Sequence, residues 1–358
     1  MKMKKTTRRQ AYTLVEILLA MIVVGIASGA VTAAFLSFWN SYNQTEDYAV
    51  SREGIEKVFQ TLSAQFANVG LGMPNNRGGE GLFSSAFAGD GNEPASSVMS
   101  LMGTAGQDWG GPLTVASGDI SGSSGRITET DADGNYSGPE LYYAWSMPLG
   151  EILSSDIRIV GSDAGMRKPG NSFSDFTNYQ ALSQDAGFWT GDILLLKSVS
   201  GGGLSNVAGN MWLTFPSLGV PLWVRSNGDD GAEVAVTPGA LHNEVLFGGS
   251  LYGLEEVHVV RAARLRVVNG DLVQEIYETP PQSTPDRTRV LARRIAGLWF
   301  QFDPENRVLR MSVAAQGVHE DPHFSSGPRP GGWPDGAPDI EGARSRILVE
   351  NMSWRIRN

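Results

Sequence analysis

The sequence predicts an α+β protein in which one long N-terminal helix carries a large antiparallel β-rich domain. Residues 17–38 form an almost uninterrupted apolar run. Beyond it Ile55, Phe59, Leu62, Phe66 and Val69 recur at four- and three-residue steps, the period of one helix face. Toward the C-terminus, VHVVRAARLRVV and DLVQEIYE flank Asn269-Gly270, the favoured chemistry of a tight hairpin turn.

The helix comes first in the chain. Twenty-two residues, 17–38, rise about 33 Å, close to the roughly 30 Å of bilayer hydrocarbon, so residues 12–40 are expected to cross a membrane once. Lys2, Lys4, Lys5, Arg8 and Arg9 precede the run with no acid among them, and such bases stay cytoplasmic. Residues 41–70 continue the helix as an amphipathic segment, with Arg52, Glu53, Glu56 and Lys57 off the apolar line. Gly70-Leu71-Gly72 before Pro74 is the expected stop.

The domain spans 71–358. Residues 71–140, rich in Gly, Ser, Asn and Asp, read as an elaborated loop region. Strand-like runs follow at 141–147, 157–160, 192–199, 211–215, 220–225 and 244–247. After the Asn269-Gly270 hairpin, IAGLWFQF and RVLRMSV predict a second hairpin around Asp303-Pro304-Glu305-Asn306, and ILVENMSWRIR a final strand. The Pro- and Gly-rich insert 317–342 reads as an irregular surface loop.

Composition narrows the function classes. The formal charge of −10 concentrates in residues 71–255, with 20 acids against 7 bases, so nucleic acid is not an expected partner. The chain has no cysteine, hence no disulfide framework, thiol nucleophile or thiolate metal site. It contains no GxSxG elbow, Walker loop or Rossmann fingerprint, and no enzymatic activity is expected.

One residue does not suit the apolar run. Glu16 sits at its edge, inside AYTLVEILLAMIVVGI, where a carboxylate costs about 2.5–3.5 kcal/mol at mid-membrane. A free α-amino group at the same depth on a neighbouring subunit would satisfy it, and a cut just before Tyr12 would create one. A short basic leader, then Ala11, Tyr12, Thr13, Leu14, Val15 and Glu16 and an apolar helix, resembles the type IV prepilin signal.

That resemblance implies a leader, 1–11, removed between Ala11 and Tyr12 by a prepilin peptidase, N-methylation of Tyr12, and pairing of Glu16 with a neighbour's N-terminus. The family usually has Gly before the cut and Phe or Met after it, whereas this chain has Ala11 and Tyr12. The element order is similar to the larger minor pilins of the PilW type and the J-type minor pseudopilins of type II secretion. It implies a pilin-like fold and a place at or near the tip of a pilus or pseudopilus, priming polymerisation. The partners implied are the peptidase, other pilins or pseudopilins through the stem, and the inner membrane before assembly, with the domain extracytoplasmic. The alternative is a membrane-anchored ligand-binding or hydrolytic domain.

No cofactor is expected, with one candidate exception. Asp131, Asp133 and Asn135 alternate oxygen ligands around Gly134, as at the start of a calcium loop, and Glu140 follows. The twelve-residue pattern is incomplete and a solvated acidic turn also accounts for it. His319, Glu320, Asp321 and His323 offer ligands within five residues, but Pro322 forbids the regular helix that would align them, so a plain loop is expected. Arg287, Arg289, Arg293 and Arg294 form a basic cluster that reads as a solvated face.

Overall fold

The computed structural model describes residues 13–73, 83, 87, 98–102, 111–120, 134–152, 158–162, 192–197, 207, 211–216, 221–227, 233–238, 256–278, 284–320, 327–340 and 344–356. Helix α1 (Leu14–Phe66) runs unbroken for 53 residues, about 80 Å. Thr13 caps its N-terminus, and no proline interrupts it. It ends at an Ala67 cap, three residues before the predicted glycine stop. Gly70 and Gly72, with φ of 71° and 72°, then turn the chain. That turn is tied down where Gly70 N–H donates to Ala144 O at 3.1 Å.

A five-residue helix, α2 (Val98–Met102), follows. Among the described residues the strands are β1 (Leu113–Ala116), β2 (Tyr136–Gly138), β3 (Glu140–Ile152), β4 (Arg158–Ser162), β5 (Asp192–Lys197), β6 (Trp212–Thr214) and β7 (Leu222–Asn227). They continue with β8 (Glu233–Pro238), β9 (Glu256–Val268), β10 (Asp271–Tyr277), β11 (Arg287–Ala292), β12 (Ile295–Asp303), β13 (Val308–Gln316) and β14 (Ile347–Arg355). Ten of them form one antiparallel sheet in the order β1-β3-β9-β6-β7-β8-β5-β4, with β10 on β9 and β11 on β10. The other four form a second antiparallel sheet, β14-β13-β12-β2. The α+β layout is therefore the one the sequence predicts.

Local chemistry sets the central hairpin. Asn269 and Gly270 both take positive φ, 52° and 81°, and register Asp271 opposite Val268. Two consecutive left-handed residues match the right-handed twist of the flanking strands. Successive side chains of β3 and β9 then point to opposite faces, and both faces are covered. Leu141, Tyr143, Trp145, Ala263 and Leu265 face the helix, while Tyr142, Ala144, Val260 and Ala262 face a second core.

The main core forms around the end of α1. Ile55, Val58, Phe59, Leu62, Phe66 and Val69 pack among the inner faces of both sheets, against residues such as Tyr143, Leu265, Phe300 and Met311. Phe66 meets Tyr143 and Trp354 edge-on, with ring centroids 5.0 and 4.8 Å apart. Trp354 Nε1 donates to Ser63 Oγ at 2.8 Å, so the last strand is fastened to the helix.

Two expectations are corrected. Residues 71–140 are not only loop: they contain β1, β2 and α2, and Phe83, Phe87, Met99 and Met102 build the second core with Trp212 and Trp223. Sparse apolar residues there found partners across the sheet, beyond the reach of any local pattern. The insert 317–342 is not merely surface loop either. Trp333, Ala337 and Ile340 pack on Trp299 and Ala314, covering the outer face of the second sheet, and Trp333 Nε1 donates to Pro338 O at 3.0 Å. Strands β8 and β11 were not predicted, and the predicted strand at 244–247 lies outside the described residues.

Candidate functional site

The stem begins with a reciprocal cap. Glu16 N–H donates to Thr13 Oγ1 at 3.3 Å, while the Glu16 carboxylate accepts from Thr13 N–H at 2.9 Å and from its hydroxyl at 3.1 Å. This capping box satisfies donors that the first helical turn leaves without partners. Ala11 and Tyr12 lie outside the described residues.

From Leu14 to Trp39 the large apolar side chains of the stem stand clear of the domain, and the helix is long and apolar enough to cross a membrane. Leaving a Leu, Ile or Val side chain in water rather than burying it costs about 1.5–3 kcal/mol. Eleven exposed Leu, Ile and Val side chains on one bare helix require a non-aqueous neighbour, either lipid or other helices.

The junction with the domain is made by a carboxylate. Asp47, 5% exposed, accepts hydrogen bonds from Val318 N–H at 2.7 Å, His319 N–H at 3.0 Å and His319 Nδ1–H at 3.0 Å. Gly317 packs against it so closely that a Cβ there would lie 2.7 Å from Asp47 Cγ. Glu46 Oε2 lies 4.0 Å from His319 Nε2. Beside this clamp, Ser41, Gln44, Tyr48, Arg346 and Leu348 line a groove of about 610 Å³ between the stem and the start of β14.

The other predicted sites fall as follows. Asp131 and Asp133 lie outside the described residues, and Asn135 stands at the entry to β2. Glu140 is not an open ligand, because Arg264 binds its carboxylate at 2.7 Å. His319 is committed to Asp47; Glu320 is described, and Asp321 and His323 are not. Among the described residues no three His, Asp or Glu side chains converge to hold a metal ion. Arg287, Arg289, Arg293 and Arg294 are all exposed on and just after the edge strand β11, and Arg287 pairs with Glu278 at 3.1 Å.

No family model, curated protein or solved structure matches this chain. What it can do must be read from its own side chains.

Two buried polar clusters escaped the sequence reading. On the outer face of the large sheet, Arg264 bridges Glu140 and Glu275 and lies over the Tyr142 ring at 5.3 Å, while Arg266 also binds Glu275. Burial among these groups pushes the Tyr277 hydroxyl up to about 12. On the inner face, Tyr143 Oη donates to Gln65 Oε1, and Gln274 Nε2 donates to both, at 2.5–2.7 Å, tying the helix end to β3 and β10.

Ser146 Oγ lies 3.1 Å from His258 Nδ1, and His258 Nε2 lies 4.0 Å from Glu256, in the order of a hydrolase triad. Ser146 is completely buried between paired strands, so its hydroxyl cannot meet a substrate. The contact is a core hydrogen bond. Burial holds the His258 imidazole below its ordinary value of 6.5, against the opposing pull of Glu256. The unfolded chain therefore binds a proton that the folded one resists. Stability should fall on acidification between 6.5 and the lowered folded value, by up to about 1.4 kcal/mol per pH unit. Urea midpoints of the wild type and His258→Gln at about pH 7 and 5.5 check this, and the wild type is expected to lose more.

Proposed function

We propose that this chain is a structural minor pilin or minor pseudopilin. The observation that carries the reading is the bare apolar stem with a single acidic residue, Glu16, near its start, continuous with a helix end buried in a two-sheet domain. A monomer has no use for such a stem beyond anchorage. A bundle of stems uses both its apolar surface and its carboxylate.

In this reading a prepilin peptidase cuts between Ala11 and Tyr12, Tyr12 is N-methylated, and the subunit waits in the inner membrane as a single-pass protein with its N-terminus cytoplasmic. It then joins other subunits at or near the tip of a type IV pilus or type II secretion pseudopilus and primes polymerisation. Glu16 leaves its cap on Thr13 to pair with the α-amino group of a neighbouring stem. For the rival reading, an anchored ligand-binding or hydrolytic domain, the described residues offer the hydrolytic form the Ser146–His258–Glu256 contact, and that serine is sealed.

Glu16→Leu tests the proposal. The substitution removes a charge from lipid, so membrane insertion is expected to persist. Incorporation into filaments or tip complexes is expected to drop more than about tenfold, because losing one partner of a charge pair in a low-dielectric setting costs about 3 kcal/mol or more. Wild-type incorporation would overturn the assembly role. The mass of the mature N-terminus, with and without the peptidase, tests processing separately.

A further inference from the structure

The stem carries an aromatic ridge where its apolar run gives out. Phe35, Trp39 and Tyr42, at i, i+4 and i+7, lie along one helix face, and their rings approach at centroid distances of 6.3 and 6.5 Å. Phe38 stands beside them. All four are exposed, Phe38 at 77%, Phe35 at 64%, Tyr42 at 63% and Trp39 at 54%. At 3.6 residues per turn, the ridge points away from the side on which Ile55, Leu62 and Phe66 enter the core. The described residues of the domain leave it uncovered.

Its height is informative. Phe35 and Trp39 stand about 32 and 37 Å along the axis from Leu14, against a hydrocarbon thickness of roughly 30 Å. The next turns carry Glu46, Arg52 and Glu53, which belong in water. Tryptophan and tyrosine concentrate at this boundary because an apolar ring with a polar edge suits the headgroup level.

We propose that Phe35, Phe38, Trp39 and Tyr42 form an anchor in the headgroup zone of the extracytoplasmic leaflet, fixing the depth of the unassembled subunit. The anchor rests on the membrane-spanning reading of the stem. It places the Asp47 clamp about 12 Å beyond Trp39, so the domain sits directly above the lipid surface.

The full chain reconstituted in phosphatidylcholine vesicles, with bromine at shallow or deep acyl positions, tests this. The chain has nine tryptophans, so the emission difference between wild type and Trp39→Phe isolates Trp39. Its quenching is expected to be roughly twofold greater with shallow than with deep bromines. Strongest quenching by deep bromines, equal quenching at all depths, or none would each overturn the anchor. Alkaline carbonate extraction of the same vesicles separates the two readings. Release of the protein would overturn membrane spanning and the anchor together, whereas a retained protein with the wrong quenching profile would overturn the anchor alone.

Discussion

Arg264→Leu is expected to destabilise the domain by about 3–5 kcal/mol, because it strands the Glu140 carboxylate, which the fold has taken out of water, and strips Glu275 of one of its two cations. The Arg264 side chain is 7% exposed, and those of Glu140 and Glu275 are 14% and 9%. Arg264 holds Glu140 at 2.7 Å through two nitrogens, a charge-assisted geometry that a solvated pair rarely keeps. Arg266 would still hold Glu275, but Glu140 would lose its cation. A second change, Glu140→Leu on the Arg264→Leu background, should recover part of the loss, since removing both charges is far less costly than removing one. Urea unfolding midpoints measure both. A loss below about 1 kcal/mol for the single variant would mean that the network is effectively solvated.

Asp47→Ala is the second large expected effect, at about 2–4 kcal/mol. It leaves the amides of Val318 and His319 without their acceptor in a half-buried pocket, and each orphaned donor costs about 1–3 kcal/mol. Gly317→Ala approaches the same clamp from the other side. Its Cβ would fall 2.7–3.0 Å from three atoms of an Asp47 side chain already held by three hydrogen bonds, so the clamp must open. Asp47→Asn, which keeps an acceptor oxygen, should lose less. Amide exchange of residues 44–51 and 317–319 is the direct measurement, with both segments expected to lose protection together. Unchanged exchange in either segment would show that the stem and the domain are not coupled through Asp47.

Some of this was legible in the sequence because its causes are local. Asn269-Gly270 specifies its hairpin alone, and the apolar stripe Ile55, Phe59, Leu62, Phe66, Val69 emerges wholly buried. Glu16 declares itself because a carboxylate is conspicuous in an apolar run. Asp47 does not, since among Asn43, Gln44, Thr45 and Glu46 an acid looks solvated, and its donors lie 271 and 272 residues away. Arg264 and Glu275 read as the polar alternates of two-faced strands until the second core and its cover are in place. Strand β11 was hidden by its arginines, and β1 and β2, four and three residues long, by the turn-rich stretch around them. Trp333 closes on Trp299 across 34 residues, which no short-range pattern encodes.

The fastening of Trp354 to Ser63 and Phe66 also constrains how the molecule is made. The stem is synthesised first, yet its buried stripe is not sealed until β14, the last strand of the chain, lies against it, a separation of 291 residues for the hydrogen bond alone. A chain whose closing contact spans nearly its whole length folds late, since loop closure precedes any reward. Synthesis thus leaves the buried stripe of the stem unsealed, open to proteases and chaperones, until β14 has been made.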